Sequence, residues 1–291
     1  MKYKLFFVIT IIFLFSLMSL TKDASLPSNE FISIEELTNK GFLETNIRGL
    51  GGYQEDCIEF DMQNNTSDTL LVYIEAGRRL LSVDTTIQDI LLVKNKKFRI
   101  FPRKRKKVKG YGFCCQSSKH APYTNAEFNI GHLAPDDWIL LAEVINKNEF
   151  EPNSIQHAVW VLSDNHELSS VTASDLSSIQ ELRKTLAEIK EVKIPWYTLR
   201  YKTDTAQLFS NRPEQIVGNF NYRVKNNSVI TISIKDKKGQ ILKRIVNAES
   251  KGPGEYKFNL NMNVLKWEKG EYAVYIYQDY SKLISKKVFI L

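Results

Sequence analysis

The chain has 291 residues, of which 43% are hydrophobic and 25% charged. These ordinary globular values exclude a disordered polyelectrolyte, and the length favours about two domains. The net charge of +7 and a pI near 9.1 are only modestly basic. Outside one run, residues 103–109, Lys and Glu are interspersed, which is not the pattern of a uniformly basic nucleic-acid binder.

Residues 1–20 read as a targeting segment. Lys2 and Lys4 precede an apolar stretch over residues 5–20 broken only by Thr10, Ser16 and Ser19, and charge resumes at Lys22 and Asp23. The pattern predicts a secretory signal peptide over residues 1–24, cleaved between 19 and 24. Its apolar core is near the short end of the roughly 17–25 residues a membrane span needs, and no other spanning segment follows. The protein is therefore expected to be exported, to the periplasm, the cell surface or the medium.

Residues 25–200 are expected to form a β-sandwich with a helical subdomain. Residues 57–62 alternate apolar and polar, a QNNTSD turn follows, and residues 69–77 return as a second strand. Residues 78–86 read as a connector, residues 89–93 and 98–101 as a hairpin around Asn95, and residues 106–113 as a further strand. Short antiparallel strands of this kind suit an immunoglobulin-like sandwich. After Pro122 the pattern turns helical. Pro135, Asp136 and Asp137 open one helix, Pro152 and Asn153 a second, and residues 174–192 form a third with an apolar stripe through Leu182, Leu186 and Ile189. Together they predict a three-helix cap.

Residues 210–215, SNRPEQ, read as interdomain punctuation. Residues 216–291 then give six or seven strands separated by KNNS, KKG, KGPG and KWEKG turns, a second immunoglobulin-like sandwich over residues 210–291. The fold class is mostly β with a helical insert.

Three cysteines in an exported chain imply at most one intramolecular disulfide and one thiol left over. Cys57 would bridge to Cys114 or Cys115, because adjacent residues are poorly placed to bridge each other. No metal site is expected: His120, His132, His157 and His166 lack ligand spacing, and no nucleotide-binding or serine-hydrolase motif appears. No cofactor is implied. The basic run offers Arg103, Lys104, Arg105, Lys106, Lys107 and Lys109 as binding residues for an anionic polysaccharide, with no nucleic acid expected for want of interleaved aromatics. Lysines on an edge strand also simply prevent edge-to-edge pairing.

Two stretches carry family resemblances. VITISIKDKKGQIL at residues 229–242, PGEY at 253–256, GEYAVYIY at 270–277 and the final KKVFIL resemble the FlgD-type immunoglobulin-like module and the type IX sorting domains of exported Bacteroidetes proteins. Asn259, Leu260 and Asn261 replace a Trp-Asp-Gly often found in that module. The resemblance implies extracellular packing or surface sorting. The second stretch, SIQHAVW at residues 154–160, resembles the glutamine segment of the thioester domains of Gram-positive surface adhesins. It implies Gln156 as acyl donor, joined to the thiol of Cys57, Cys114 or Cys115, and open to attack by an amine. The sequence thus predicts an exported, non-enzymatic protein acting in surface interaction or envelope structure, with a thioester adhesin and a polyanion binder as alternatives.

Overall fold

The computed structural model describes residues 30–201 and 209–291; the segment read as a signal peptide and residues 202–208 lie outside the described residues. The chain is mostly β with a helical insert, as its patterning predicts. At the start, β1 (Ile32–Ser33) leads into α1 (Ile34–Asn39), where the Ser33 hydroxyl caps the helix by accepting from the Glu35 amide at 3.2 Å. The hairpin of β2 (Leu43–Leu50) and β3 (Gln54–Asn64) turns through Gly51 and Gly52, both at positive φ, where a side chain is strained.

The strands of the first module close on themselves rather than stacking as an open sandwich. With β5 (Arg78–Ser82), β6 (Ile90–Leu92), β8 (Arg105–Cys114) and β9 (Thr124–Leu133), they form a closed antiparallel barrel in the order β2-β3-β8-β6-β5-β9. Strands β5 and β9 are the reason. They occupy the segment read as a connector and the stretch after Pro122, and they supply the two staves that complete the ring. Each strand of the ring is paired on both sides over at least part of its length. The barrel interior is tight: a Cβ on Gly112 would overlap the Ile90 methyl, and one on Gly110 would lie 2.8 Å from the Phe60 ring.

Beside the barrel, β1, β4 (Leu70–Ile74) and β7 (Lys96–Ile100) form a small sheet in which β1 runs parallel to β4. Residues 89–93 and 98–101 therefore do not pair as a hairpin; β6 belongs to the barrel and β7 to the small sheet. The intervening Asn95 fixes the switch. Its carboxamide oxygen accepts from the Ala76 amide at 2.7 Å and the Tyr73 hydroxyl at 2.9 Å.

The three helices are α2 (Asp136–Lys147), α3 (Pro152–Ser163) and α4 (Gln180–Ile189). Asp136 and Asp137 place negative charge in the first turn of α2, which favours the positive end of its dipole. Leu141, Ile145, Ile155, Val159, Leu182 and Leu186 share one core with Leu91, Phe113 and Cys115 of the barrel. The helices thus cover the flank where β6 meets β8, and the cap expected from periodicity is present.

In the second module, β10 (Tyr197–Tyr201), β11 (Pro213–Val224) and β14 (Gly254–Asn263) face a four-stranded sheet in the order β13 (Ile241–Lys251), β12 (Ser228–Asp236), β15 (Glu271–Gln278), β16 (Lys282–Ile290). Phe220, Ile232, Phe258, Val274, Ile276 and Phe289 fill the space between. Tyr197–Tyr201 sits at the end of the stretch read with the first module, yet it pairs with β11 from Tyr197↔Gly218 onward. Ile32–Leu291 forms one compact unit. Among the described residues no helix is long and apolar enough to cross a membrane.

Candidate functional site: the Cys114–Gln156 pair and its cleft

Helix α3 is apolar on almost every side, burying Ile155, Ala158, Val159, Trp160 and Val161. A glutamine in such a helix must find partners, because an unpaired buried amide costs several kcal/mol. Gln156 finds both on one residue at the end of β8. Its Nε2 donates to the Cys114 carbonyl at 2.8 Å, and its Oε1 accepts from the Cys114 amide at 3.1 Å. The same amide also donates to the Tyr53 carbonyl at 3.1 Å. Gln156 and Cys114 are 1% and 0% exposed. Of the three cysteines, it is Cys114 that the structure brings to Gln156.

Gln156 lines a cleft of about 270 Å³ together with Tyr53, His157, Trp160, Arg200 and Tyr201, among others, with Cys114 buried behind it. Burial pushes the Cys114 thiol well above its ordinary range, reinforced by the neighbouring Cys57 and Cys115. The Tyr53 hydroxyl is raised too, by burial and then by Cys114. At neutral pH the Cys114 thiol is therefore protonated, and the Gln156 carboxamide is bound to the main chain of the same residue. Condensation would form the S–C bond, break the C–N bond and release ammonia, with the thiol proton leaving on the nitrogen.

All three cysteines are free and buried, so the disulfide allowed by the sequence is not formed. A register irregularity between Glu55 and Ile58 of β3 aims the Cys57 sulfur at the Gly112 carbonyl, 3.5 Å away. Burial holds Cys57 at a pKa of about 12 and also raises Cys115.

The basic run lies at the other end of β8 and is partly neutralised. Lys107 Nζ contacts Glu59 at 2.8 Å and Arg105 Nε contacts Asp61 at 3.4 Å, both across the β3 pairing. Lys106 Nζ donates to the Arg99 carbonyl at 3.2 Å and sits over the Phe98 ring. Arg103, Lys104 and Lys109 remain exposed. Pairing of β8 with β6 covers only Gly112–Cys114, so the basic half has one open edge, as an edge-protecting role requires.

Sequence reasoning missed Tyr53 and Tyr201, which line the cleft, and the buried Arg78. Arg78 bonds Glu75 through two nitrogens at 2.8 and 3.2 Å, the Gly131 carbonyl at 2.9 Å, the Ser33 hydroxyl at 3.1 Å, and Glu35. A cluster of Ser117, Asp164 and His166 also forms. The Ser117 hydroxyl donates to Asp164 at 3.0 Å and lies 3.0 Å from His166 Nε2, while His166 Nδ1 has no hydrogen-bond partner among the described residues. The carboxylate is thus on the serine and not on the imidazole, which is not the order a serine nucleophile needs. Among the described residues no group of three or more His, Cys, Asp or Glu is placed to hold a metal.

No family model matches the chain, and no curated protein does so. Among solved structures, the CBM51-2 and INT domains of Clostridium perfringens ZmpB align at 12% identity over 86% of this chain and 80% of that one, with a TM-score of 0.18. A β-glucosidase from Kluyveromyces marxianus aligns at 11% identity over 80% of this chain and 44% of its own length, also with a TM-score of 0.18. Similarity at that level carries no argument about this chain.

Proposed function

We propose that the chain is an exported, non-enzymatic surface protein whose first module holds an internal Cys114–Gln156 thioester for covalent attachment to an amine-bearing partner. One observation supports the reading: the Gln156 carboxamide is clamped to the main chain of Cys114, 42 residues away in sequence, and Gln156 lines an open cleft. The chemistry is stoichiometric. An amine entering the cleft would attack the Gln156 carbonyl carbon, forming an amide and returning the Cys114 thiol. Export is supported by the charged-then-apolar N-terminus, and the second module serves as a stalk or sorting element in keeping with its resemblance.

Intact-mass spectrometry of the mature protein tests this. The expected mass is below the sequence value by one ammonia, and methylamine replaces the deficit with its adduct. Cys114→Ser and Gln156→Ala both abolish the deficit. A wild-type mass equal to the sequence value and indifferent to methylamine overturns the thioester and leaves Gln156 as a core clamp. The basic run gains no comparable support, since Arg105 and Lys107 already face carboxylates.

A further inference from the structure

We infer that the outer face of the four-stranded sheet in the second module docks on a negatively charged membrane surface. The inference is independent of the thioester. It begins with charge: residues 228–251 and 271–291 contain nine Lys or Arg against four Asp or Glu, so they carry most of the net charge of +7.

Register places the cations. Ile230, Ile232, Ile234, Val274 and Ile276 face the core, so alternate residues point the other way. Directly opposed residues share a face. One row across the sheet is therefore Arg244, Ser233, Tyr275 and Lys286, and the next is Ile241, Lys235, Ala273 and Val288. Tyr277 opposes Leu283, and Glu271, which opposes Ile290, is the one carboxylate among these positions.

The cations are pre-organised. Lys235 Nζ donates to the Tyr277 hydroxyl at 3.0 Å and sits 4.7 and 4.8 Å from the Tyr275 and Tyr277 ring centres. Lys286 Nζ lies 5.4 Å from the centre of Tyr275. Those two rings are parallel within 6° at 6.0 Å, and cation–π attraction holds the ammonium groups between and beside them. Lys235, Arg244 and Lys286 form no ion pair among the described residues, so their charge is available to a partner.

The flanking residues choose the occupant. Ile241, Leu283, Val288 and Ile290 are 40, 48, 39 and 54% exposed around this cationic centre. A soluble polyanion gives aliphatic side chains nothing to enter. A bilayer with anionic headgroups takes both parts, lysines at the phosphate level and aliphatic tips just below it. Lysines against Tyr275 also leave it little free face for stacking a nucleic-acid base.

Flotation of the mature protein with phosphatidylcholine vesicles, with and without phosphatidylglycerol, tests the assignment. Binding is expected only to the anionic vesicles and should weaken with salt. Each surface cation contributes roughly fivefold in partition, so Lys235→Ser with Arg244→Ser and Lys286→Ser should reduce it on the order of a hundredfold. Lys286→Ser alone, the mildest change, should reduce it about fivefold. Val288→Ser with Ile290→Ser should weaken binding without altering its salt dependence, while Lys104→Ser with Lys109→Ser should leave it unchanged. Equal binding to uncharged vesicles, or undiminished binding by folded Lys286→Ser, overturns the inference. So does retention on heparin with no vesicle binding, which would assign the face to a soluble polyanion.

Discussion

Gln156 spends its whole hydrogen-bonding side chain on the backbone of a single residue, and this makes the consequences of changing it separable. In Gln156→Ala the Cys114 carbonyl loses its donor, while the Cys114 amide keeps the Tyr53 carbonyl. One unsatisfied buried acceptor costs about 1–3 kcal/mol, and the vacated space adds a cavity cost. Urea unfolding of the variant should show this loss, and its mass should equal the sequence value. Arg78 is a harsher case. It is fully buried against Glu75 and Glu35, and burial alone would raise the Glu35 carboxyl, but the Arg78 and His132 contacts outweigh it and hold that pKa below its ordinary value. Arg78→Met removes the charge while leaving the Glu75 carboxylate and the Gly131 carbonyl without their partner, and Glu35 with His132 alone. Breaking a buried pair in this one-sided way costs roughly 3–5 kcal/mol, so the denaturation midpoint should drop steeply. A drop no larger than that of a surface Arg→Met change would show that water replaces the guanidinium without penalty.

Element by element, what the sequence revealed depended on whether a segment's own residues announced its burial. Strands β3, β4 and β8 alternate plainly, and the three helices have clear starts and stripes, so the mostly β class and the cap were legible. Strand β5 opens with Arg78-Arg79, which reads as solvated surface, although Arg78 is buried because Glu75 beside it and the distant Glu35 and Gly131 supply partners. Strand β9 has the right period in Ala126, Phe128 and Ile130, but Asn125, Glu127, Asn129 and Gly131 around them lower its strand propensity. Closure depends on these two strands, and that is why an open sandwich was the natural reading. Gln156 stood out because a lone amide in an apolar helix needs a partner; that the partner is Cys114 depends on how α3 lies on the barrel, which no local pattern encodes. The barrel's tightness gives a test at this scale. Gly112→Ala pushes a methyl into Ile90, and such overpacking costs typically 1–3 kcal/mol; the same change at Gly41, where a Cβ meets nothing within 4 Å, carries only its backbone strain. Thermal unfolding should show a lower Tm for Gly112→Ala, and in the double variant with Ile90→Ala, which removes the overlapping methyl, the two losses should be less than additive.

At the scale of the whole molecule, the helices and the second module meet at an aromatic cluster that contains two histidines. His157 of α3 packs against Trp160, Tyr201 of β10 and Phe209, and His166 stacks on Phe209 at 3.9 Å. Burial, and then His166, lower the His157 pKa to about 4; burial lowers His166 as well, opposed by Asp164. A histidine held neutral in the folded state takes up fewer protons than its unfolded counterpart between about pH 4 and its ordinary pKa near 6.5. The folded state thus has its full advantage above pH 6.5 and loses it as pH falls toward 4. For His157 the full loss is on the order of 3 kcal/mol, since each tenfold difference in proton affinity between the two states is worth about 1.4 kcal/mol. Carboxylates titrate in the lower part of the same window, so the difference between two proteins isolates the imidazole. His157→Phe keeps an aromatic ring in the cluster and removes the proton site. Urea midpoints measured from pH 7 to pH 4 should fall less steeply for this variant than for the wild type, with the two curves diverging below about pH 6.5. Parallel curves would mean that the imidazole charges in place, with water or a carboxylate reaching His157 Nδ1, which has no hydrogen-bond partner among the described residues.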